Sequence, residues 1–236
     1  AACRALDADD TVRVVILAGR GKSFSAGADL NWMQAAGQAS VADNLEDARR
    51  LATMLRTLAE LRKPTIARVH GAALGGGLGL AAACDLCVAA TGAVFATSEV
   101  RFGIIPATIA PYVIRTIGTR QASRYFQTAE RMDAQRAWEI GLVHELATPE
   151  DLDSKVQQLT DALLLGGPQA QAAAKALIRA VAGQAISDEL MEDTAHRIAA
   201  LRATAEAREG LAAFLEKRRP AWIDAIAEVS PNRAEN

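Results

Sequence analysis

The chain has 236 residues, half of them hydrophobic, and a formal net charge of -2 at pH 7. This length is enough for one large globular domain, or for a domain with an appended subdomain. The near-neutral charge argues against a nucleic-acid binder, which usually has a basic face, and no apolar run reaches the ~18 residues of a membrane span. We therefore expect a partner that is neither nucleic acid nor membrane.

The first part of the chain alternates predicted strands and helices. The β-branched run 12–18 predicts a short buried strand. Leucines recur at steps of three or four over 42–61, which predicts an amphipathic helix that Pro64 ends. The other elements predicted here are strands at 65–69, 86–90, 94–97 and 142–147, an Ala-rich buried helix at 77–84 and a helix at about 109–117.

The last part of the chain is predicted to be helical only. Thr148, Pro149 and two acids predict a helix start there, because they suit the cap and the helix dipole. Breaks at 166–168 and 183–187 divide the region up to about 217 into three helices. The pattern predicts an α/β core with parallel strands over 1–165 and a C-terminal helical region over 166–236.

Three glycine-bearing stretches follow predicted strands, where α/β folds place ligands. The first, 19–23, lacks the glycine that a Walker loop needs five residues before Gly21, since Ile16 stands there. It also lacks the third glycine of a dinucleotide-binding loop, so turns with positive φ explain Gly19 and Gly21. Nucleotide hydrolysis is therefore not expected.

The second and third stretches predict free backbone donors. Asp29 is placed to cap a helix that begins at Leu30, although an ordinary transition from loop to helix explains this stretch equally well. Three consecutive glycines, 75–77, permit close backbone approach and leave N–H groups free at a helix N-terminus. Two such loops that each donate one N–H group would form an oxyanion hole.

Taken together, these stretches resemble the crotonase (enoyl-CoA hydratase/isomerase) superfamily. The similar segments are 24–30, 70–77, 99–106, 134–143 and 208–220, so the resemblance covers nearly the whole chain. It implies a β-β-α spiral core with a C-terminal helical region that forms homotrimers, often paired into hexamers. It also implies that the first strands of the core, which this sequence lacks, would precede residue 1.

The resemblance implies roles for individual residues. Backbone N–H groups of Ala28 and Gly76 would hold the thioester oxygen of an acyl-CoA, and Glu99 would be the acid/base. Coenzyme A is part of the substrate, so no separate cofactor is implied. Arg101 could meet a distal carboxylate, but it could also be solvated or salt-bridged, and Trp32 could line the acyl pocket or pack a helix. The residues expected to bind substrate are Lys22, Phe24, Ala26, Asp29, Leu30, Trp32, Gly75 and Arg101.

Two departures from the family pattern bear on the reaction. Gly79 stands where many hydratases have the first of two glutamates, and 107–113 replaces a glycine-rich turn. Segments 107–113 and 29–33 together are similar to those of bacterial methylglutaconyl-CoA hydratases of leucine degradation. This favours hydration of a branched or carboxylated 2-enoyl-CoA such as 3-methylglutaconyl-CoA. The alternatives are a Δ3-Δ2-enoyl-CoA isomerase with one glutamate and a non-catalytic acyl-CoA-binding protein.

The cysteines and histidines do not predict a metal site. The three cysteines are an odd, low count that fits a reducing compartment, and we expect a cytoplasmic protein. Cys84 and Cys87 have CxxC spacing but no second ligand pair, so two small buried residues are expected. The three histidines have neither metal spacing nor a nucleophile partner, and structural roles are expected for His70, His144 and His196.

Overall fold

The computed structural model describes residues 1–223, so the end of the predicted helical region, 224–236, lies outside the described residues. The chain forms two compact units. The first comprises 1–9, 15–61 and 65–159, and it contains both sheets and the stretches with predicted chemistry. The second comprises 10–14, 62–64 and the chain from residue 160.

The first unit contains two small sheets. Strands β1 (Val15–Ala18), β2 (Thr65–Val69), β4 (Leu86–Ala90) and β7 (Glu145–Ala147) form a parallel sheet in the order β1-β2-β4-β7. In the second sheet, β3 (Ala72–Leu74) pairs in parallel with β5 (Val94–Ala96), which pairs antiparallel with β6 (Met132–Asp133). The parallel sheet and the C-terminal helices confirm the predicted α/β class.

The helices differ in how much of their surface is buried: α3 is amphipathic and buries one face, whereas α4 is apolar throughout and mostly buried. Helix α3 carries Leu55 and Leu58 on its buried face, as the leucine spacing predicts. The helices within residues 1–223 are α1 Ala2–Ala8, α2 Leu30–Gln38, α3 Val41–Ala59, α4 Gly76–Ala83, α5 Ala110–Thr128, α6 Ala134–Glu139, α7 Leu152–Leu164, α8 Pro168–Val181, α9 Asp188–Arg202 and α10 Ala205–Leu215. A 3₁₀ turn covers Glu99–Phe102, and Gly118 kinks α5.

Helix α4 lies in the core of the first unit. Its sequence is Gly-Gly-Leu-Gly-Leu-Ala-Ala-Ala, and Gly77, Leu78 and Gly79 are all buried. Each glycine inside a helix costs about 1 kcal/mol relative to alanine, so packing and not propensity must hold this helix in place. The lack of bulky side chains on its first turn lets neighbouring segments approach its backbone closely.

The second unit is held together by charged side chains on backbone groups. Glu206 of α10 accepts hydrogen bonds from the N–H groups of Gln169 (2.9 Å) and Ala170 (2.8 Å), and so caps α8. Arg13 donates to the carbonyl of Gly166 at 2.6 Å, and the buried Lys175 donates to the carbonyl of Lys63 at 3.2 Å. These bonds explain why 10–14 and 62–64 belong to this unit.

Several boundaries differ from the prediction. Helix α7 begins at Leu152 and not at 148, because Thr148 caps a preceding turn through the N–H of Asp151 (3.2 Å). The prediction of three C-terminal helices is wrong: 152–215 holds four, since Thr204 caps α10 after a break at 203–204. Strands β3 and β6, helix α6 and the 3₁₀ turn were not predicted.

No helix within residues 1–223 is both long and apolar enough to cross a membrane. The same part of the chain has no group of three or more His, Cys, Asp or Glu side chains arranged to hold a metal ion.

Candidate active site

The candidate site lies at the carboxyl ends of β3 and β5. Because these neighbouring strands are parallel, the segments that follow them leave the sheet at the same edge. Gly75 follows β3, and Glu99 follows β5 after two intervening residues. The N–H of Gly75 donates to the carbonyl of Ala96 at 2.9 Å, and this bond holds together the segments that follow β3 and β5.

Gly75 turns the chain from β3 into helix α4. Its φ of 52° and ψ of -118° favour glycine, and its carbonyl accepts the first intrahelical bond, from Gly79, at 3.1 Å. The N–H groups of the first helical turn therefore have no partner within the helix. A Cβ atom built on Gly76 would have no atom within 4 Å, so the space beside this residue is open.

The stretch that contains Phe24 and Ser25 lies alongside β3. The N–H of Phe24 donates to the carbonyl of His70 at 2.8 Å, and the N–H of Ser25 donates to that of Ala72 at 2.9 Å. The N–H of Leu74 donates in turn to the carbonyl of Ser25 at 2.9 Å. These bonds bring two of the three glycine-bearing stretches together, as an oxyanion hole requires.

Ala28 lies in the exposed loop three residues after Ser25. Its N–H donates no hydrogen bond to any residue within 1–223. The carboxylate of Asp29 accepts from the N–H groups of Asn31 (2.8 Å) and Trp32 (3.1 Å), so it caps α2 as the sequence indicates. The cap satisfies donors of α2 and leaves that of Ala28 available.

Glu99 places its carboxyl group against the start of α4. A Cβ atom built on Gly75 would lie 3.3 Å from Glu99 Oε1, so only a glycine fits there comfortably. Glu99 Oε2 is buried and has no hydrogen-bond partner among residues 1–223. Burial raises the pKa of the Glu99 carboxyl, an effect that its own backbone N–H partly opposes. A raised pKa suits a carboxyl group that must both accept and donate a proton during catalysis.

Ile109 fills the space beside Gly79. A Cβ atom built on Gly79 would lie 2.2 Å from Ile109 Cγ2, and Ile109 is 1% exposed. Any side chain at residue 79 therefore requires Ile109 to move. The first turns of α4 carry no carboxylate, and an apolar wall stands where residue 79 would project.

His70 holds the loop that contains Lys22 in place. One ring nitrogen of His70 lies 2.9 Å from the carbonyl of Gly21, and the other lies 3.4 Å from the guanidinium of Arg68, which pairs with Asp153. Gly71 approaches the carbonyl of Lys22 so closely that a Cβ would lie 2.2 Å from that oxygen. His70 thus has a structural role in shaping this loop.

The remaining predicted site residues differ in exposure. The Phe24 side chain is buried in the core, so only its backbone is available to a ligand. Within 1–223, no side-chain hydrogen bond or ion pair joins Lys22 or Arg101 to other candidate residues, and Arg101 has no ion pair there. Trp32 is joined to Asp29 through its backbone N–H, as described above. The exposed members of the predicted set are Lys22, Ala26, Ala28, Asp29, Leu30, Trp32 and Arg101.

Comparisons with known proteins identify the family of the chain. The sequence profile described as Enoyl-CoA hydratase/isomerase matches residues 1–225. The chain belongs to the enoyl-CoA hydratase/isomerase family. It is 35% identical to the crotonyl-CoA hydratase of Syntrophomonas wolfei over 224 residues, which are 94% of this chain and 85% of that protein. The crystal structure of an enoyl-CoA hydratase from Shewanella pealeana has a TM-score of 0.91 and 42% identity, and the match covers 94% of this chain and 83% of that one.

Family membership makes the chain an enoyl-CoA hydratase/isomerase-type enzyme with the crotonase fold, as predicted. A third relative, the 2,3-dehydroadipyl-CoA hydratase of Escherichia coli, is 35% identical over 214 residues, 90% of this chain and 81% of that protein. The contacts of two residues at this site, Ser25 and Ile109, were not predicted from the sequence. Their partners Gly77 and Gly79 are the only local hint, because a glycine in a helix often marks close approach.

Proposed function

We propose that this enzyme adds water to a branched or carboxylated 2-enoyl-CoA, such as 3-methylglutaconyl-CoA. The observation that carries the proposal is the half-buried carboxyl of Glu99 against Gly75, next to the open face of Gly76. The N–H groups of Ala28 and Gly76 would stabilise the thioester oxygen as an enolate develops. Each such donor is worth roughly 3–4 kcal/mol in a transition state.

Glu99 would supply the acid/base chemistry alone. Ionised Glu99 takes a proton from water as the hydroxyl group adds to the alkene, and the protonated carboxyl then returns a proton to the neighbouring carbon of the enolate. Burial and the missing partner of Oε2 favour both directions of transfer, because they bring the two protonation states of Glu99 closer in energy. The loop from Lys22 to Ala26 is proposed to hold the adenine end of coenzyme A.

The Gly79–Ile109 contact favours a second candidate, a Δ3-Δ2-enoyl-CoA isomerase. Isomerisation needs one group that removes a proton from one carbon and returns it to another, so a single carboxyl suffices. Ile109 excludes a side chain at residue 79, and it makes the wall beside the site apolar. The relatives named as crotonyl-CoA and 2,3-dehydroadipyl-CoA hydratases support hydration as the first candidate.

Three substrates distinguish the candidates. The purified enzyme is incubated with crotonyl-CoA, 3-methylglutaconyl-CoA and 3-hexenoyl-CoA, and the products are separated and weighed by mass spectrometry. Gain of one water from 3-methylglutaconyl-CoA supports the proposal, and conversion of 3-hexenoyl-CoA to its 2-enoyl isomer without gain of mass supports the alternative. Binding measured by calorimetry without turnover of any thioester would contradict both.

The preference for a carboxylated acyl chain has its own test at Arg101. This exposed guanidinium, two residues from Glu99, is the proposed contact for a distal carboxylate. Arg101→Gln should raise KM for 3-methylglutaconyl-CoA by about tenfold, the value of one charge-assisted hydrogen bond, and leave KM for uncharged crotonyl-CoA unchanged. Equal effects on both substrates would remove Arg101 from substrate selection.

We also propose that the C-terminal helices join copies of this chain into a trimer or a hexamer. Helix α10 exposes Leu211, Phe214 and Leu215, the last two by 80% and 78%, and α8 exposes Ile178. Burial of one such side chain contributes about 1.5–3 kcal/mol, so leaving this set in water is unfavourable.

Phe214→Glu is therefore expected to shift the assembly toward monomers, because it puts a charge into the proposed contact. Light scattering at micromolar concentration measures the change, with Phe214→Leu as an apolar control that stays assembled. A wild-type protein that is already monomeric would contradict the proposed assembly.

A further inference from the structure

Ser25 occupies the point where the second glycine-bearing stretch meets the first turn of α4. Its backbone is held on both sides by β3, through bonds of 2.9 Å to Ala72 and from Leu74. Its side chain faces Gly77: a Cβ atom built there would lie 2.5 Å from Ser25 Cβ and 2.8 Å from Ser25 Oγ. The serine side chain thus fills the space that a side chain at residue 77 would need.

The two residues of this contact are close along the chain to the two proposed oxyanion donors. Gly76 directly precedes Gly77, and Ala28 is three residues beyond Ser25. We therefore expect a change that pushes Ser25 away from Gly77 to displace one donor relative to the other. Donors in such a site act at about 2.7–3.1 Å from the developing oxyanion, and a misplacement of ~1 Å can cost ~100-fold in rate.

We propose that Ser25 is a positioning residue, whose side chain against Gly77 sets the separation between the N–H groups of Ala28 and Gly76. The inference rests on the proposed function in that these two donors must bind the thioester oxygen. The hydroxyl group itself has no part in the chemistry. The size of the side chain is what matters, since the contact is one of packing at the van der Waals limit.

The test is a pair of compensating substitutions. Gly77→Ala puts a methyl group against Ser25 and should lower kcat by at least about tenfold with little change in KM, because the handle of the substrate is bound elsewhere. Adding Ser25→Gly removes Ser25 Cβ and Oγ, so the nearest remaining contact is the carbonyl of Ser25 at 3.0 Å. The double variant should recover most of the lost kcat.

A second pair approaches the contact from the other side. Ser25→Ala keeps the packing atom and should retain near-normal kcat, whereas Ser25→Val adds bulk toward Gly77 and should lower it. Gly37→Ala in α2, where a Cβ meets nothing within 4 Å, controls for adding a methyl group to a helical glycine. Circular dichroism and Tm separate folding defects from changes in rate.

These experiments test the positioning role of Ser25 separately from the proposed function. Turnover by the wild-type enzyme tests the function first, and the variants are then compared with that value. Normal kcat in both Gly77→Ala and Ser25→Val would overturn the positioning role. So would a double variant as slow as Gly77→Ala, and so would loss of kcat in Ser25→Ala, since that would assign the hydroxyl a part in catalysis.

Discussion

Replacing Glu99 with glutamine is expected to lower kcat at least about 100-fold, while acyl-CoA binding changes far less. General acid–base catalysis contributes 10²–10⁴-fold, and helix α4 itself carries no carboxylate that could take over. Binding is retained because the coenzyme A handle and the backbone donors are unchanged. Steady-state kinetics with the best substrate, together with calorimetric binding of its product, measures both effects.

The pH dependence gives a second readout of the same variant. Burial raises the pKa of Glu99, and the proposed cycle starts from the ionised carboxyl. The wild-type kcat/KM should therefore fall on the acid side through one ionisation above the ordinary range of a glutamate. The residual kcat/KM of Glu99→Gln should not show this fall on the acid side of the pH profile.

Glu99→Gln is expected to lower activity but to raise the stability of the fold near pH 7. A carboxyl whose pKa is higher in the folded state favours folding while it is protonated, and this contribution is lost as pH rises through the folded-state pKa. Glutamine stays neutral, so Glu99→Gln should have a higher Tm than wild type near pH 7 and a smaller advantage at low pH.

Glu150→Gln, at an exposed position outside the site, is the matched control for the loss of one carboxylate, and it should leave kcat unchanged. Wild-type turnover by Glu99→Gln would remove this residue from the mechanism. A loss of binding equal to the loss of kcat would instead indicate that Glu99 orients the substrate.

Local signals explain how well the strands of the larger sheet were predicted. Residues 65–69 and 86–90 are apolar runs bounded by Pro64 and Asp85, and the structure has β2 and β4 over the same ranges. Strand β3 was missed because Ala72, Ala73 and Leu74 include no β-branched residue and stand between glycines. Its pairing with β5 is a tertiary preference that overrides a weak local one.

The candidate site was predictable where glycines and capping residues mark it. Gly75 and Asp29 have the turn and the cap that their types indicate. The contacts that shape the site join distant positions: Ile109 lies 30 residues from Gly79, and Ser25 lies 52 from Gly77. No periodicity or propensity reports such pairs, since each member is locally an ordinary apolar or small residue.

Replacing Gly76 with valine is expected to reduce kcat at least about 100-fold in a protein that remains folded. Removal of one donor from an oxyanion hole typically costs 10²–10³-fold, and valine would fill the open space from which the thioester oxygen must approach this N–H group. Folding should survive, because a Cβ at residue 76 meets nothing within 4 Å and valine is a better helix former than glycine.

Gly92→Val is the matched control for this variant, because a Cβ there also meets nothing within 4 Å and the residue lies outside the three glycine-bearing stretches. Near-normal kcat in Gly76→Val, with Tm equal to wild type, would show that the oxyanion assignment is wrong. The variant also separates the donors from the acid/base, since Gly76→Val leaves Glu99 and its raised pKa in place. An enzyme that is slow but keeps the wild-type acid limb in kcat/KM has therefore lost oxyanion stabilisation and not proton transfer.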